Sequence, residues 1–234
     1  MIQQSPLETA KVILLGVKYD GDPNETTGSR FAPDKIRKDL NELEDTLELH
    51  DAGNIKPIKG TPEITYKLIK NTVFDLHQKN PRAGIIVLGG EHSITPPIVE
   101  ALKPENYLCF DVQWNLKPAS NPMDNESVNR RVLGLGVHTE IHGAKLGSPE
   151  EKQMGSKLTQ TKGPAYVSID LGVLQSIPVS SGFSGHMSFN ELWEKIATRR
   201  ITACDITEYN PLLGKSPVPA ELVKRIAEKM FIEF

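Results

Sequence analysis

With only two cysteines in 234 residues, Cys109 and Cys204, the chain lacks the material for a disulfide framework. Each cysteine sits in an apolar, strand-like run, so both are expected as buried free thiols of a reducing compartment, not as a bridge or a nucleophile. Long hydrophobic stretches are also missing. The run Val12–Val17 is too short for a membrane span or for the apolar region of a secretion signal, and residues 1–10 ahead of it are polar. A cytoplasmic protein with no membrane partner is therefore expected. Nor is there an excess of charge: 27 basic against 30 acidic residues give a formal net charge of −3. That balance gives no reason to expect nucleic acid as a partner. The pairs Arg130-Arg131 and Arg199-Arg200 are too short for a basic patch and read as solvated charge at element ends.

What is present is ordinary for a folded domain: 38% hydrophobic and 24% charged residues. The length suits one domain, residues 1–234, with a substantial core. Apolar, strand-like runs at 11–17, 84–88, 106–112, 131–137, 165–171 and 201–206 alternate with helical patterns. Helices are predicted after Pro33, with Ile36, Leu40 and Leu43 on one face, and after Thr61-Pro62-Glu63, with Ile64, Leu68, Val73 and Leu76 at helical spacing. Capping-box starts stand at Ser148-Pro149-Glu150-Glu151 and Ser188-Phe189-Asn190-Glu191, and a last helix spans 219–231. Such alternation predicts a three-layer α/β/α sandwich around a mostly parallel sheet. Chemistry in that architecture lies beyond the carboxyl ends of the strands.

Four segments follow the apolar runs: Gly89-Gly90-Glu91-His92-Ser93, Phe110-Asp111-Val112-Gln113-Trp114-Asn115, Ser168-Ile169-Asp170-Leu171-Gly172, and Asp205-Ile206-Thr207-Glu208-Tyr209-Asn210-Pro211. One histidine and several carboxylates are thus brought to the ends of separate strands, the usual assembly of an oxygen- and imidazole-lined metal site. Singly, an aspartate at a strand end is more often a loop cap than a ligand.

In this order the segments resemble the ureohydrolase family of arginases and agmatinases, whose signatures read GG-[DE]-HS, DAHxD, SxDxDxxDP and DxxExNP. Residues 16–21 followed by Gly28-Ser29-Arg30-Phe31-Ala32-Pro33 resemble the family's first loop and helix, so the likeness covers nearly the whole chain. It implies the arginase/deacetylase-like fold, a pair of manganese ions activating a hydroxide that attacks a guanidinium carbon, and a homo-oligomer, trimer or hexamer.

Position by position, the resemblance retains His92, Asp111 and Asp170 as metal ligands, while Gln113, Asn115 and Gly172 stand where the family has His, Asp and Asp. One site would keep His92, Asp111 and Asp170, with a neutral oxygen from Asn115. The other would keep only the two shared carboxylates, which balance the charge of one divalent ion. At most one manganese ion per chain, or none, is therefore expected. Ser120-Asn121-Pro122 stands where the family carries a catalytic histidine, and residues 178–185 depart from its substrate loop. Glu208, matching the family's guanidinium-binding carboxylate, survives, although Asp205 and Glu208 are equally well read as pins of a strand end. The zinc deacetylases of this fold use the site that is damaged here, which argues against that activity.

His138 and His142, four apart, would face one ion only on a helix, which Gly143 makes doubtful; they and His186 are the candidates to replace lost ligands. The expectation is an impaired or inactive ureohydrolase-like protein with a structural, regulatory or ligand-binding role, assembling with itself or with an active paralogue. The alternative is a divergent hydrolase of guanidino or amidine compounds that uses one metal.

Overall fold

The computed structural model describes residues 1–21, 25–58 and 60–233; part of the predicted loop between Tyr19 and Ser29 lies outside them. Eight strands form one sheet: β1 (Ile2–Gln4), β2 (Val12–Val17), β3 (Leu47–Ile55), β4 (Gly84–Leu88), β5 (Asn106–Phe110), β6 (His138–His142), β7 (Ala165–Asp170) and β8 (Ile201–Thr207). Their order is β1-β3-β2-β4-β8-β7-β5-β6, and every neighbouring pair is parallel. Helices α1 (Ala32–Glu42), α2 (Pro62–Lys79), α3 (Thr95–Leu102), α4 (Val128–Gly134), α5 (Pro149–Gly155), α6 (Phe189–Ala197) and α7 (Val218–Glu233) connect or follow the strands.

The strands are apolar on both faces because both faces are covered. Val12, Leu14, Ile86, Leu88, Leu108 and Phe110 pack with α1, α6 and α7, through residues such as Ile36, Leu192 and Ile226. Their neighbours Ile13, Leu15, Ile85, Val87, Tyr107 and Cys109 pack with α2, α3 and α4, through Ile69, Ile98 and Val132. This period-two division makes two cores, and each fully buried aliphatic side chain in them contributes about 1.5–3 kcal/mol. Both capping boxes form: Ser148 with Glu151, and Ser188 with Glu191. Among the described residues, no helix is long and apolar enough to cross a membrane.

Three expectations are corrected. Residues 131–137 are not a strand: α4 runs through Gly134, and the strand is the polar segment His138–His142. Val128 and Val132, four apart, supply the buried face of that helix, and Gly136 at φ 79° ends the segment. The inward stripe of α2 is Thr65, Ile69 and Val73, while Ile64 and Leu68 are exposed. Arg131 and Arg199 are not simply solvated: Arg131 lies over the ring of Tyr66, and Arg199 donates to the backbone oxygen of Thr161 at 2.9 Å.

Candidate functional site

β5 and β7 are adjacent, with Phe110 opposite Ile169, so Asp111 and Asp170 emerge side by side one position further on. His92 enters from the turn after β4. All three are buried, His92 and Asp111 fully. His92 Nδ1 lies 3.1 Å from Asp111 Oδ2 and 3.5 Å from Asp170 Oδ2. Neither approach is aligned as a hydrogen bond, and Nδ1 has no hydrogen-bond partner among the described residues. The three groups aim at a common point and not at each other.

The turn geometry holds them there. Asp111 Oδ1 accepts from Gln113 N at 2.8 Å, and Asp170 Oδ1 accepts from Gly172 N at 2.6 Å. Asn115, in the left-handed region at φ 49°, donates Nδ2 to Asp111 Oδ2 at 2.7 Å. A half-turn of that amide would present its oxygen instead. Burial, reinforced by Asp170, pushes the Asp111 carboxyl up to about 6. Burial alone would push the His92 imidazole down, but Asp111 and Asp170 outweigh it and hold it well above its ordinary value. Positive charge belongs at this point.

The donor set therefore offers a divalent cation one orphaned imidazole nitrogen, Asp170 Oδ2, and Asp111 Oδ2 once the Asn115 amide turns away. Gly172 brings no side chain, and Gln113 contributes its backbone N–H to Asp111. Cys109, two residues before Asp111 on the same face of β5, also belongs to the cluster: its sulfur and donor atoms of His92 and Asp111 lie within 4.8 Å of one another. Sequence reading treated it only as a buried thiol, although its period-two relation to Asp111 was visible.

Glu208 sits beside this centre at φ 70°. Its Oε1 accepts from His92 N at 2.7 Å, while Oε2 is buried with no hydrogen-bond partner among the described residues. Burial, together with the carboxylates of Glu25, Asp170 and Glu91, holds its carboxyl well above the ordinary value. Glu91 and Asn210 act as staples for the loop after β2. Glu91 Oε2 accepts from Gly21 N at 2.7 Å, and Asn210 Nδ2 donates to the backbone oxygens of Thr26 and Thr27 at 3.1 and 3.2 Å.

The other candidate histidines do not join. His138 and His142 lie on a strand, where four residues span about 13 Å, so they cannot share an ion. His142 instead contacts Glu140 at 2.7 Å and stacks on Phe110. His186 lines a separate groove of about 490 Å³ with Lys145, Glu191 and Lys195. A larger cleft of about 720 Å³, lined by residues including Tyr19, Asp20, Arg30, Asn121 and Asp124, has none of His92, Asp111, Asp170 or Glu208 in its wall.

A parallel α/β/α sheet with an imidazole and carboxylates at its carboxyl edge defines a class of metal-dependent hydrolase folds. The sequence profile described as the arginase family matches residues 10–112. The N(1)-aminopropylagmatine ureohydrolase of Thermococcus kodakarensis is 32% identical over 220 residues, covering 81% of this chain and 76% of that protein. The agmatinase of Pyrococcus horikoshii is 30% identical over 198 residues, covering 71% of this chain and 70% of that one. The agmatine ureohydrolase structure from Thermoplasma volcanium superposes with a TM-score of 0.80 at 21% identity, over 98% of this chain and 94% of that chain. The chain belongs to the arginase (ureohydrolase) family.

Proposed function

We propose that this protein is a ureohydrolase-family member whose dinuclear centre is reduced to a single-ion site, and that it serves as a ligand-binding, structural or regulatory protein and not as an efficient hydrolase. His92, Asp111 and Asp170 would hold the ion, with Asn115 as a neutral fourth donor and manganese as the family's metal. The observation that carries the reading is the Asn115–Asp111 bond: an amide N–H occupies a carboxylate oxygen where the family places a second anionic ligand. When bound, such an ion supplies Lewis acidity and an activated water. The residues of the chain would position that ion and limit its exposure to solvent, since all three donors are buried.

The ligand class follows from relatives whose names specify agmatine and aminopropylagmatine: a guanidino or amidine group on an aliphatic chain. Glu208 would meet the guanidinium. A second reading, a slow single-ion hydrolase of the same compounds, is favoured by Glu208 alone, whose buried and unpartnered Oε2 is suited to a cationic group. Urea release from agmatine, arginine and guanidinobutyrate with added manganese separates the two. The first reading expects no turnover above background; sustained manganese-dependent release establishes the second. A homo-oligomer, trimer or hexamer, alone or with an active paralogue in the cytoplasm, completes the proposal, and light scattering of the purified chain tests its mass.

A further inference from the structure

Below the three donors lies a hydrogen-bonded chain that none of the roles above uses. Ser168 pairs in register with Cys109 on one side and Asp205 on the other, one step below Asp170. Asp205 is fully buried and accepts three hydroxyl protons: from Ser168 Oγ to Oδ1 at 2.8 Å, from Thr95 Oγ1 to Oδ2 at 2.9 Å, and from the Tyr166 hydroxyl to Oδ2. Ser168 Oγ in turn lies 3.0 Å from His92 Nε2.

With Asp205 ionised, the hydrogen bonds give this chain one direction. A serine hydroxyl has one proton, and that of Ser168 is directed to Asp205. Ser168 therefore offers only a lone pair to His92, so Nε2 must carry the N–H. Nδ1 is then the ring nitrogen that yields its place to a cation, and it is the nitrogen aimed between Asp111 and Asp170.

We propose that Asp205 and Ser168 are positioning residues that hold the proton of His92 on Nε2 and thereby keep Nδ1 open for a divalent metal ion. This rests on the single-ion reading given above. It also assigns a purpose to Asp205, which otherwise reads as a pin of the strand end. The logic is that of a histidine ligand whose second nitrogen is fixed by an outer hydrogen bond, where loss of the outer partner costs roughly ten- to a hundredfold in metal affinity.

The test uses the full chain labelled with ¹⁵N-histidine, whose six histidines are separated by comparison with a His92→Gln sample. NMR reads which nitrogen of His92 carries the slowly exchanging proton, and titration with manganese or cadmium reads affinity. In the wild type the protected proton is expected on Nε2, with or without metal. In Asp205→Asn, the new amide donates toward Ser168, turning the serine hydroxyl toward His92. The protected Nε2 proton should disappear, and metal affinity should fall by ten- to a hundredfold. Ser168→Ala removes the acceptor with less disturbance, should move both readouts in the same direction, and decides the question if Asp205→Asn does not fold. Folded variants that keep the Nε2 proton and wild-type affinity would overturn the proposal. A wild type that binds no metal would refute the single-ion reading, while the proton position on His92 would still decide whether the relay exists.

Discussion

Asn115 Nδ2 donates to Asp111 Oδ2 at 2.7 Å, and that same oxygen lies 3.1 Å from His92 Nδ1. One carboxylate oxygen thus faces both a neutral amide and an imidazole. An amide adds no negative charge, and charge and ligand number set divalent-ion affinity. The purified protein dialysed against manganese should hold at most one ion per chain, weakly. Metal analysis that returned two tightly held ions would contradict the donor set described here.

Restoring the family's ligands should raise that number. In the variant combining Gln113→His, Asn115→Asp and Gly172→Asp, manganese binding is expected to increase by calorimetry. Asn115 is at φ 49°, a conformation aspartate also tolerates, and Gly172 is not at positive φ. A Cβ on Gly172 would meet Asp170 Oδ1 at 2.9 Å, the end of a side chain that can turn toward the ion. Efficient urea release is not expected, because by the family resemblance Asn121 stands at the position of the catalytic histidine, and a misplacement of about 1 Å can cost about a hundredfold in rate. No gain in metal would mean that the space between β5 and β7 has closed.

Chelation tests the wild-type site through stability. A ligand present near its Kd stabilises by RT ln 2, about 0.4 kcal/mol, against about 2.7 kcal/mol at a hundredfold excess. Adding EDTA to manganese-treated protein should therefore lower Tm by no more than about 2 °C, at roughly 2–4 °C per kcal/mol for a chain of this size. A drop of ten degrees would mark a tight site.

Glu208→Gln should separate binding from stability. The amide oxygen can keep the bond from His92 N, while a neutral group replaces a carboxyl held among Glu25, Glu91 and Asp170. Tm is expected to hold steady or rise, and calorimetric binding of agmatine to weaken. A variant that melts several degrees lower would show that Oε2 contributes a stabilising contact.

Gly90 is the second glycine of the loop after β4, and a Cβ there would meet the backbone oxygen of Tyr19 at 1.7 Å. Backbone cannot yield as a side chain can, so Gly90→Ala should cost about 3 kcal/mol. That corresponds to a Tm lower by roughly 6–12 °C in a thermal melt. A neutral outcome would mean that this turn is not held against the loop after β2.

Arg37 clamps α1 to β3 through two bonds of 2.8 Å to the Asp51 carboxylate and a third of 2.9 Å to Gly53 O. Burial alone would raise the Asp51 carboxyl, but the guanidinium outweighs it and holds it below its ordinary value. A depressed carboxyl stabilises the fold above its unfolded pKa of about 4, and that contribution fades as pH falls through the lower folded pKa. Arg37→Met should cost about 1–2 kcal/mol at pH 7, discounted for partial exposure. The gap to wild type should narrow below about pH 4 in urea titrations; a gap that widened with acid would contradict the sign.

The parallel sheet and its central strands were legible because their residues are apolar on both faces, as in the uninterrupted run of β2. The edges were not. β1, β3 and β6 were missed because partly exposed strands carry polar residues such as those of His138–His142. α3 was hidden by Pro96 and Pro97, which fit only because they occupy its first turn. The candidate donors were legible by type and by their place after strands, but Cys109 and Ser168 were not, since each matters through a neighbour on another strand.

By itself, the sequence determined which donor types this protein has, because the presence of a carboxylate or an imidazole is a matter of covalent chemistry that no packing supplies. It also determined the two-faced burial of the central strands, through their composition. Only the tertiary structure decided which atoms converge. The lateral register of β5, β7 and β8 sets Cys109, Ser168 and Asp205 in one row, with Asp111 and Asp170 beyond them. Hydrogen-bond geometry across that row directs the Ser168 proton to Asp205 and leaves His92 Nδ1 facing two carboxylates. Register and proton direction depend on residues far apart in the chain, and local propensity carries no record of either.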